Sequence, residues 1–219
     1  MEQQDLIPAE PGRIGTDESG KGDYFGPLVV AGFYLPPDQE GVLRELGVRD
    51  SKTISDNRCR EIAETLQRGY PHAVVAIGPE RYNELYEKFR NLNRLLAWGH
   101  ARAIENIMEK MDCRRAVTDK FGDERYVRNA LLARGKTVTL TQMVRGESDP
   151  AVAAASILAR AEFLKKLYFL GRDWGMEFPK GASPAVEAAA AEFVRRHGRE
   201  SLAKVAKVHF RTTGKALGS

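Results

Sequence analysis

The longest apolar run in the chain, Leu28-Val29-Val30-Ala31-Gly32-Phe33, continues to Leu35 and is stopped by Pro36-Pro37, which predicts a buried strand over 28–35. Residues 13–17 read as its partner across a glycine-rich turn. Shorter strands are predicted over 73–77, 115–119 and 137–141. Elsewhere the period is helical. Leu95, Leu96, Ala103, Ile104, Ile107, Met108 and Met111 fall on one stripe, which reads as core packing rather than a ligand site. Ser55 suits the cap of a helix through Arg58, Ile62 and Leu66, and Gly78-Pro79 opens another. An alanine-rich helix is expected over 150–170, followed by helical segments over 185–197 and 201–205. Strands first, then strands alternating with helices, imply an α/β fold built on a mixed sheet flanked by helices.

A chain of 219 residues that is 42% hydrophobic can bury the core of one such domain. The expected division is a flexible segment over 1–12 and a single catalytic domain over 13–219 that includes the C-terminal helices. The start, Met1-Glu2-Gln3-Gln4-Asp5, is polar, and no run approaches the roughly 18 apolar residues that span a bilayer. Neither a secretory signal nor a membrane anchor is therefore expected, and the expected location is cytoplasmic. Cys59 and Cys113 have no metal-binding spacing and read as reduced core thiols; His72, His100, His197 and His209 lie far apart and form no ligand pattern. Any metal site must then rest on oxygen. Lysine and arginine exceed aspartate and glutamate by 34 to 30, a net charge of +4 that is compatible with a polyanionic partner without requiring one.

The densest chemistry lies at Gly15-Thr16-Asp17-Glu18-Ser19-Gly20-Lys21-Gly22-Asp23-Tyr24-Phe25-Gly26-Pro27. Asp, Ser, Lys and Gly are ordinary turn residues, so a fragment such as Asp17-Glu18-Ser19-Gly20 alone would read as a tight turn. The full run places clustered carboxylates next to glycines that let a backbone approach a bulky anion, the combination of a divalent-cation site beside a phosphate. Asp17 ends one predicted strand and Asp119 another, so the two can meet if those strands are neighbours. Glu18 poses a difficulty, because successive strand residues face opposite ways; a bend or bulge at Gly20 and Gly22 is expected to bring both carboxylates to one site.

The run over 15–30 resembles the first signature of the type 2 ribonuclease H family, and Gly-Asp-Tyr-Phe-Gly-Pro resembles its ribonuclease HIII branch more than the ribonuclease HII branch. Thr118-Asp119-Lys120-Phe121 resembles the segment carrying the third carboxylate, with Lys120 where the branch more often has glutamine. Ala154-Ala155-Ser156-Ile157-Leu158-Ala159-Arg160 matches a further motif, with the fourth carboxylate expected just before it. Two residues compete there. Arg145-Gly146-Glu147 resembles the triplet that carries this carboxylate in relatives, whereas Asp149 precedes Pro150 in a helix-start pattern and reads as a cap, so Glu147 is favoured. Phe178-Pro179-Lys180-Gly181-Ala182-Ser183 and Ala206-Lys207-Val208-His209-Phe210 resemble C-terminal signatures of the ribonuclease HIII branch.

The resemblance implies a ribonuclease H-like fold, a mixed five-stranded sheet flanked by helices with a helical C-terminal extension. It also implies an endonuclease that hydrolyses the RNA strand of RNA/DNA hybrids, with Asp17, Glu18, Asp119 and Glu147 holding two Mg2+ or Mn2+ ions, and 5′-phosphate and 3′-hydroxyl products. Gly20, Lys21 and Gly22 occupy the place where the family reads the 2′-hydroxyl, and Lys52 and Lys180 are candidate phosphate contacts. The partner expected is the hybrid, met by a monomer. Relatives of this branch commonly carry an N-terminal substrate-binding domain, and the chain as read leaves no room for one. That leaves open ribonuclease HII-like incision at single ribonucleotides; a catalytically inactive hybrid-binding module is a separate alternative, against which the retention of all four carboxylate positions argues. A DNA-cutting nuclease or transposase of the same fold is disfavoured by the glycine loop.

Overall fold

The computed structural model describes residues 12–218, so the flexible segment expected over 1–12 lies, apart from Gly12, outside the described residues. In chain order the elements are β1 (Arg13–Ser19), β2 (Leu28–Leu35), α1 (Glu40–Glu45), α2 (Asp56–Gly69), β3 (His72–Ile77), α3 (Pro79–Phe89), α4 (Leu92–Met108), β4 (Arg115–Asp119), α5 (Glu124–Ala130), β5 (Thr139–Met143), α6 (Pro150–Trp174), α7 (Pro184–His197) and α8 (Arg211–Leu217). The five strands form one sheet in the order β3-β2-β1-β4-β5. β1, β2 and β3 run antiparallel, whereas β1, β4 and β5 run parallel, so the mixed sheet expected from the pattern is present.

β2 is buried along nearly its whole length, which is why it reads as an unbroken apolar run: helices cover both of its faces. On one face Val29, Ala31, Phe33 and Leu35 join a core shared with α2, α6 and α7. On the other, Ile14 and Ala116 pack with Ala97, Ala101, Ile104 and Ile107 of α4, the last two on the stripe the helical period marked out. α6 approaches the sheet closely because both sides are small. Ala151, Ala153, Ala154 and Ala155 are buried, and a Cβ at Gly15 would stand only 2.1 Å from the Ala151 carbonyl carbon. No other residue fits at that crossing without moving the helix.

Ser55 caps α2 by accepting from Arg58 N–H, and Gly78 with Pro79 opens α3, as the start signals predicted. Several boundaries differ from expectation: β1 runs two residues past Asp17, to Ser19. β5 begins two residues late, at Thr139, because Gly135–Thr137 forms a 3-10 turn held by Glu105, whose carboxylate accepts from Leu132 N–H and Gly135 N–H. α6 runs on to Trp174 and stops where Gly175 adopts φ +64°. The expected 201–205 helix is a 3-10 turn, Arg199–Lys204. Beyond it the chain runs back under the glycine turn, where Phe25 bridges Ala206. Among the described residues no helix is long and apolar enough to cross a membrane.

Candidate active site

Sheet topology brings the first carboxylates together. β1 and β4 are parallel neighbours in the register Gly15↔Val117 and Thr16↔Thr118, so Asp17 and Asp119, each one residue further on, stand side by side at the C-terminal ends of adjacent strands. The bulge expected at Glu18 does not occur. β1 continues regularly to Ser19, pairing Asp17 with Ala31, Glu18 with Val30 and Ser19 with Val29. Successive side chains therefore do face opposite ways, and the site straddles the sheet edge. On the α6 face, Gly15 meets Ala151 and Asp17 accepts a hydrogen bond from Ser156. On the α4 face, Thr16 and Glu18 both meet His100, with Nδ1 2.7 Å from Thr16 Oγ1 and Nε2 3.1 Å from Glu18 Oε2. Because both residues lie where the strand runs out, both still line one open cleft of about 550 Å³.

Gly20 and Gly22 serve a purpose other than bending the strand. Gly20 has φ +87°, and a Cβ there would stand 2.2 Å from the Pro27 carbonyl oxygen, so the turn closes on itself only with glycine. At Gly22 nothing lies within 4 Å of a Cβ position, leaving backbone open to the cleft.

The electrostatics are those of a crowded anionic site. Burial pushes the Asp17 carboxyl up to about 7, the charge of Glu18 and, less, that of Asp119 adding to it against hydrogen bonds from Glu18 N–H and Ser156. Burial also works to raise Glu18, but the hydrogen bond and charge of His100, with those of Lys21 at 3.2 Å, outweigh it and hold that carboxyl below its ordinary range. Asp119 accepts from Gly146 N–H at 2.9 Å. Each carboxylate is thus turned toward a separate protein donor, and among the described residues no three acidic, histidine or cysteine groups close to metal-ligating distance. The donor set nevertheless fits a hard divalent cation. It offers carboxylate oxygens around a mouth where burial first, and the Glu18 charge second, work against ionising Asp17, and a bound cation would offset both.

The structure separates the two candidates for the fourth carboxylate. Asp149 faces away from the cleft: Oδ2 accepts from Arg13 Nε at 2.8 Å, and Oδ1 caps α6 through Ala151 N–H at 2.8 Å. Glu147, half-buried, follows directly on Gly146, whose backbone packs against Asp119 so tightly that a Cβ there would stand 2.8 Å from Asp119 Cα. Glu147 is beside Asp119 in the fold but is not among the residues lining the cleft. Gly20, Lys21, Gly22, Lys52 and Lys180 all line it, Lys180 while paired to Asp56 at 2.8 Å.

Several residues around the site escaped the sequence reading. His100, fully buried and stacked 4.7 Å from the Phe121 ring, orients Glu18. Ser156, inside a motif noted only as a landmark, bonds both Asp17 and Ser51, its Oγ 2.7 Å from Ser51 Oγ. Arg160 donates to the carbonyls of Ser51 and Ile54 and pairs with Asp56 at 2.5 Å, so one network runs from Lys180 through Asp56 and Arg160 to the Ser51 turn beside Lys52. The signal that could have placed His100 in the interior is its spacing, four residues from Leu96 and from Ile104 on the buried stripe, but nothing in that spacing names its partner on the sheet.

The profile of the family described as Ribonuclease HII matches residues 14–213, which takes in every element named above from β1 to the start of α8. The chain belongs to the ribonuclease HII family. It is 45% identical over 214 residues to the ribonuclease HIII of Protochlamydia amoebophila (strain UWE25), covering 98% of this chain and 70% of that one. It is 41% identical over 215 residues to the ribonuclease HIII of Chlamydia pneumoniae, covering 96% and 70%. The crystal structure of Bst-RNase HIII in complex with Mn2+ superposes with a TM-score of 0.87 at 33% identity, covering 95% of this chain and 70% of that one. The fold is accordingly ribonuclease H-like, and the resemblance to the ribonuclease HIII branch drawn from the glycine run is borne out. The family's mechanism is in general metal-dependent, and this protein is a ribonuclease H.

Proposed function

We propose that the protein cuts the RNA strand of RNA/DNA hybrids endonucleolytically, leaving 5′-phosphate and 3′-hydroxyl ends. The observation that carries this reading is the placement of Asp17 and Asp119 side by side on neighbouring parallel strands, with Glu18 at the same mouth and an open glycine backbone on its rim. Asp17, Glu18 and Asp119 would hold the cation, joined by Glu147 from beside Asp119. Two divalent ions, Mg2+ or Mn2+, supply when bound the Lewis acidity that activates water and stabilises the leaving 3′ oxygen.

The remaining work belongs to the chain's own groups. Ser156 and the Glu18 N–H fix the Asp17 carboxylate, and His100 fixes that of Glu18. The open backbone at Lys21 and Gly22 approaches the ribose, where peptide groups can test the 2′-hydroxyl without reading the base. Lys52 and Lys180 face the cleft and offer positive charge to the phosphates on either side of the scissile bond.

The reading is tested by offering two labelled duplexes with Mg2+ or Mn2+, an RNA/DNA hybrid and a DNA duplex with one ribonucleotide, with Asp17→Asn as control. Cutting within the hybrid by the wild-type protein, abolished in the variant, is expected. Cutting only at the single ribonucleotide would replace this reading with ribonuclease HII-like incision. Binding the hybrid without cutting either would replace it with a binding module.

A further inference from the structure

The segment between α7 and α8 carries a charged group that the reaction does not use. Lys207 is fully buried, which a lysine almost never is unless its charge is met. Its Nζ donates to the carbonyl oxygens of Asp23 at 2.7 Å and Gly26 at 2.8 Å, and lies 5.6 Å from the centre of the Tyr82 ring. Two carbonyl dipoles and an aromatic face meet the ammonium, and both carbonyls belong to the turn that carries Gly20, Lys21 and Gly22. Burial pulls the ammonium down to about 7, the Asp23 charge partly opposing.

The backbone around Lys207 is tied to the same turn. Lys207 N–H donates to Tyr24 O, and Gly26 N–H donates to Val205 O, each at 2.9 Å. The strap is itself fixed from behind by Asn83 of α3, which donates to Ala203 O and Ala206 O and accepts from Val208 N–H. Tyr24 N–H reaches Gly181 O at 2.9 Å, and Gly181 N–H reaches Asp23 Oδ1 at 2.6 Å, so the peptide that Lys207 grips also joins the turn to the Lys180 segment.

A buried cation adds little stability over an apolar side chain of the same shape, so a strut alone would be served as well by methionine. What an ammonium adds is direction. It draws carbonyl oxygens inward, and because each peptide is planar it sets which way the turn's other groups face. The geometry points to Lys207 as a positioning residue for substrate recognition, holding the Gly20-Lys21-Gly22 backbone in the conformation that reads the ribose by gripping the Asp23 and Gly26 carbonyls. It touches neither substrate nor cation. This role rests on the functional reading above.

The test compares wild type with Lys207→Met for KM and kcat on a hybrid, for Ki of an all-DNA duplex as competitor at fixed salt, and for the Mn2+-induced shift in Tm. Loss of the charged grip is expected to raise the hybrid KM about tenfold, the worth of one charge-assisted hydrogen bond, with kcat within about threefold. DNA Ki and the Mn2+ shift should stay unchanged. An unchanged hybrid KM, or a KM that rises in step with DNA Ki, overturns the role and leaves Lys207 a strut. Should Lys207→Met fail to fold, the same comparison on Lys207→Gln, which keeps a donor for one carbonyl, decides by the same criterion. A wild-type protein that does not cut the hybrid overturns the functional reading, and the inference with it.

Discussion

Replacing Asp17 with asparagine should stabilise the metal-free protein, by an amount that depends on pH. The wild-type carboxyl moves from an ordinary 3.8 to about 7 in the fold. A folded value raised in this way gives stability that is whole below the ordinary value and is lost as pH rises toward 7; above it, the fold carries a second ionised carboxylate beside Glu18. Between pH 5 and pH 8 this group removes about 2–3 kcal/mol from the wild-type protein. The asparagine amide does not titrate, so the variant escapes that loss. The altered hydrogen bonding to Glu18 N–H is the same at both pH values and drops out of the comparison. At roughly 2–4 °C per kcal/mol for a chain of this size, the variant should gain about 5–10 °C in Tm over wild type on going from pH 5 to pH 8. The assay is thermal unfolding of both proteins in EDTA at the two pH values. Saturating Mn2+ at pH 8 should narrow or reverse the difference, because the cation stabilises the wild-type site more. A variant-minus-wild-type difference that is flat with pH would refute the burial of an ionisable Asp17 carboxyl beside Glu18.

Three further outcomes follow from the same geometry. Mn2+ binding should release close to one proton per site near pH 6.5, seen as a binding enthalpy that scales with buffer ionisation enthalpy, and should lose that dependence in Asp17→Asn. Glu147→Gln should cost about 100-fold or more in kcat with little change in Tm, whereas Asp149→Ala should keep activity and lose about 1–3 kcal/mol of stability, since it removes a helix cap and the Arg13 pair; denaturant titration and initial rates separate the two. Gly15→Ala should destabilise by about 3 kcal/mol or more, because its Cβ has no room beneath Ala151; an unfolding midpoint within error of wild type would show that α6 can move away from the sheet.

The parts of this structure that the sequence disclosed are those governed by local rules. β2 is legible because burial on both faces makes every position apolar, and Pro36-Pro37 marks its end. The starts of α2 and α3 are legible because capping chemistry is local, at Ser55 and at Gly78 with Pro79. Asp17 and Asp119 could be placed at strand ends, but only strand order made them neighbours. The bend expected at Glu18 shows where strand-level reasoning stopped short. Period two does put Asp17 and Glu18 on opposite faces, and the alternation is satisfied because the cleft wraps the end of β1 rather than lying on one side of it. His100 and Ser156 were beyond reach, since each acts through a partner far away in the chain and stands in a helix whose composition suggests only packing. Lys207 was legible as part of a signature and invisible as a buried charge.

The arrangement of Asp17 and Glu18 on opposite sides of one strand also bears on how this protein can change over evolutionary time. One carboxylate takes its aim from α6 and the other from α4, so their spacing is fixed by two independently packed layers that share only the thickness of β1 between them. A conservative substitution deep in either layer, harmless to folding, would shift one carboxylate relative to the other and so retune cation affinity. Drift in the interior is thereby visible to selection on turnover well before it threatens the fold, and compensating changes should be sought across the sheet rather than beside the original substitution.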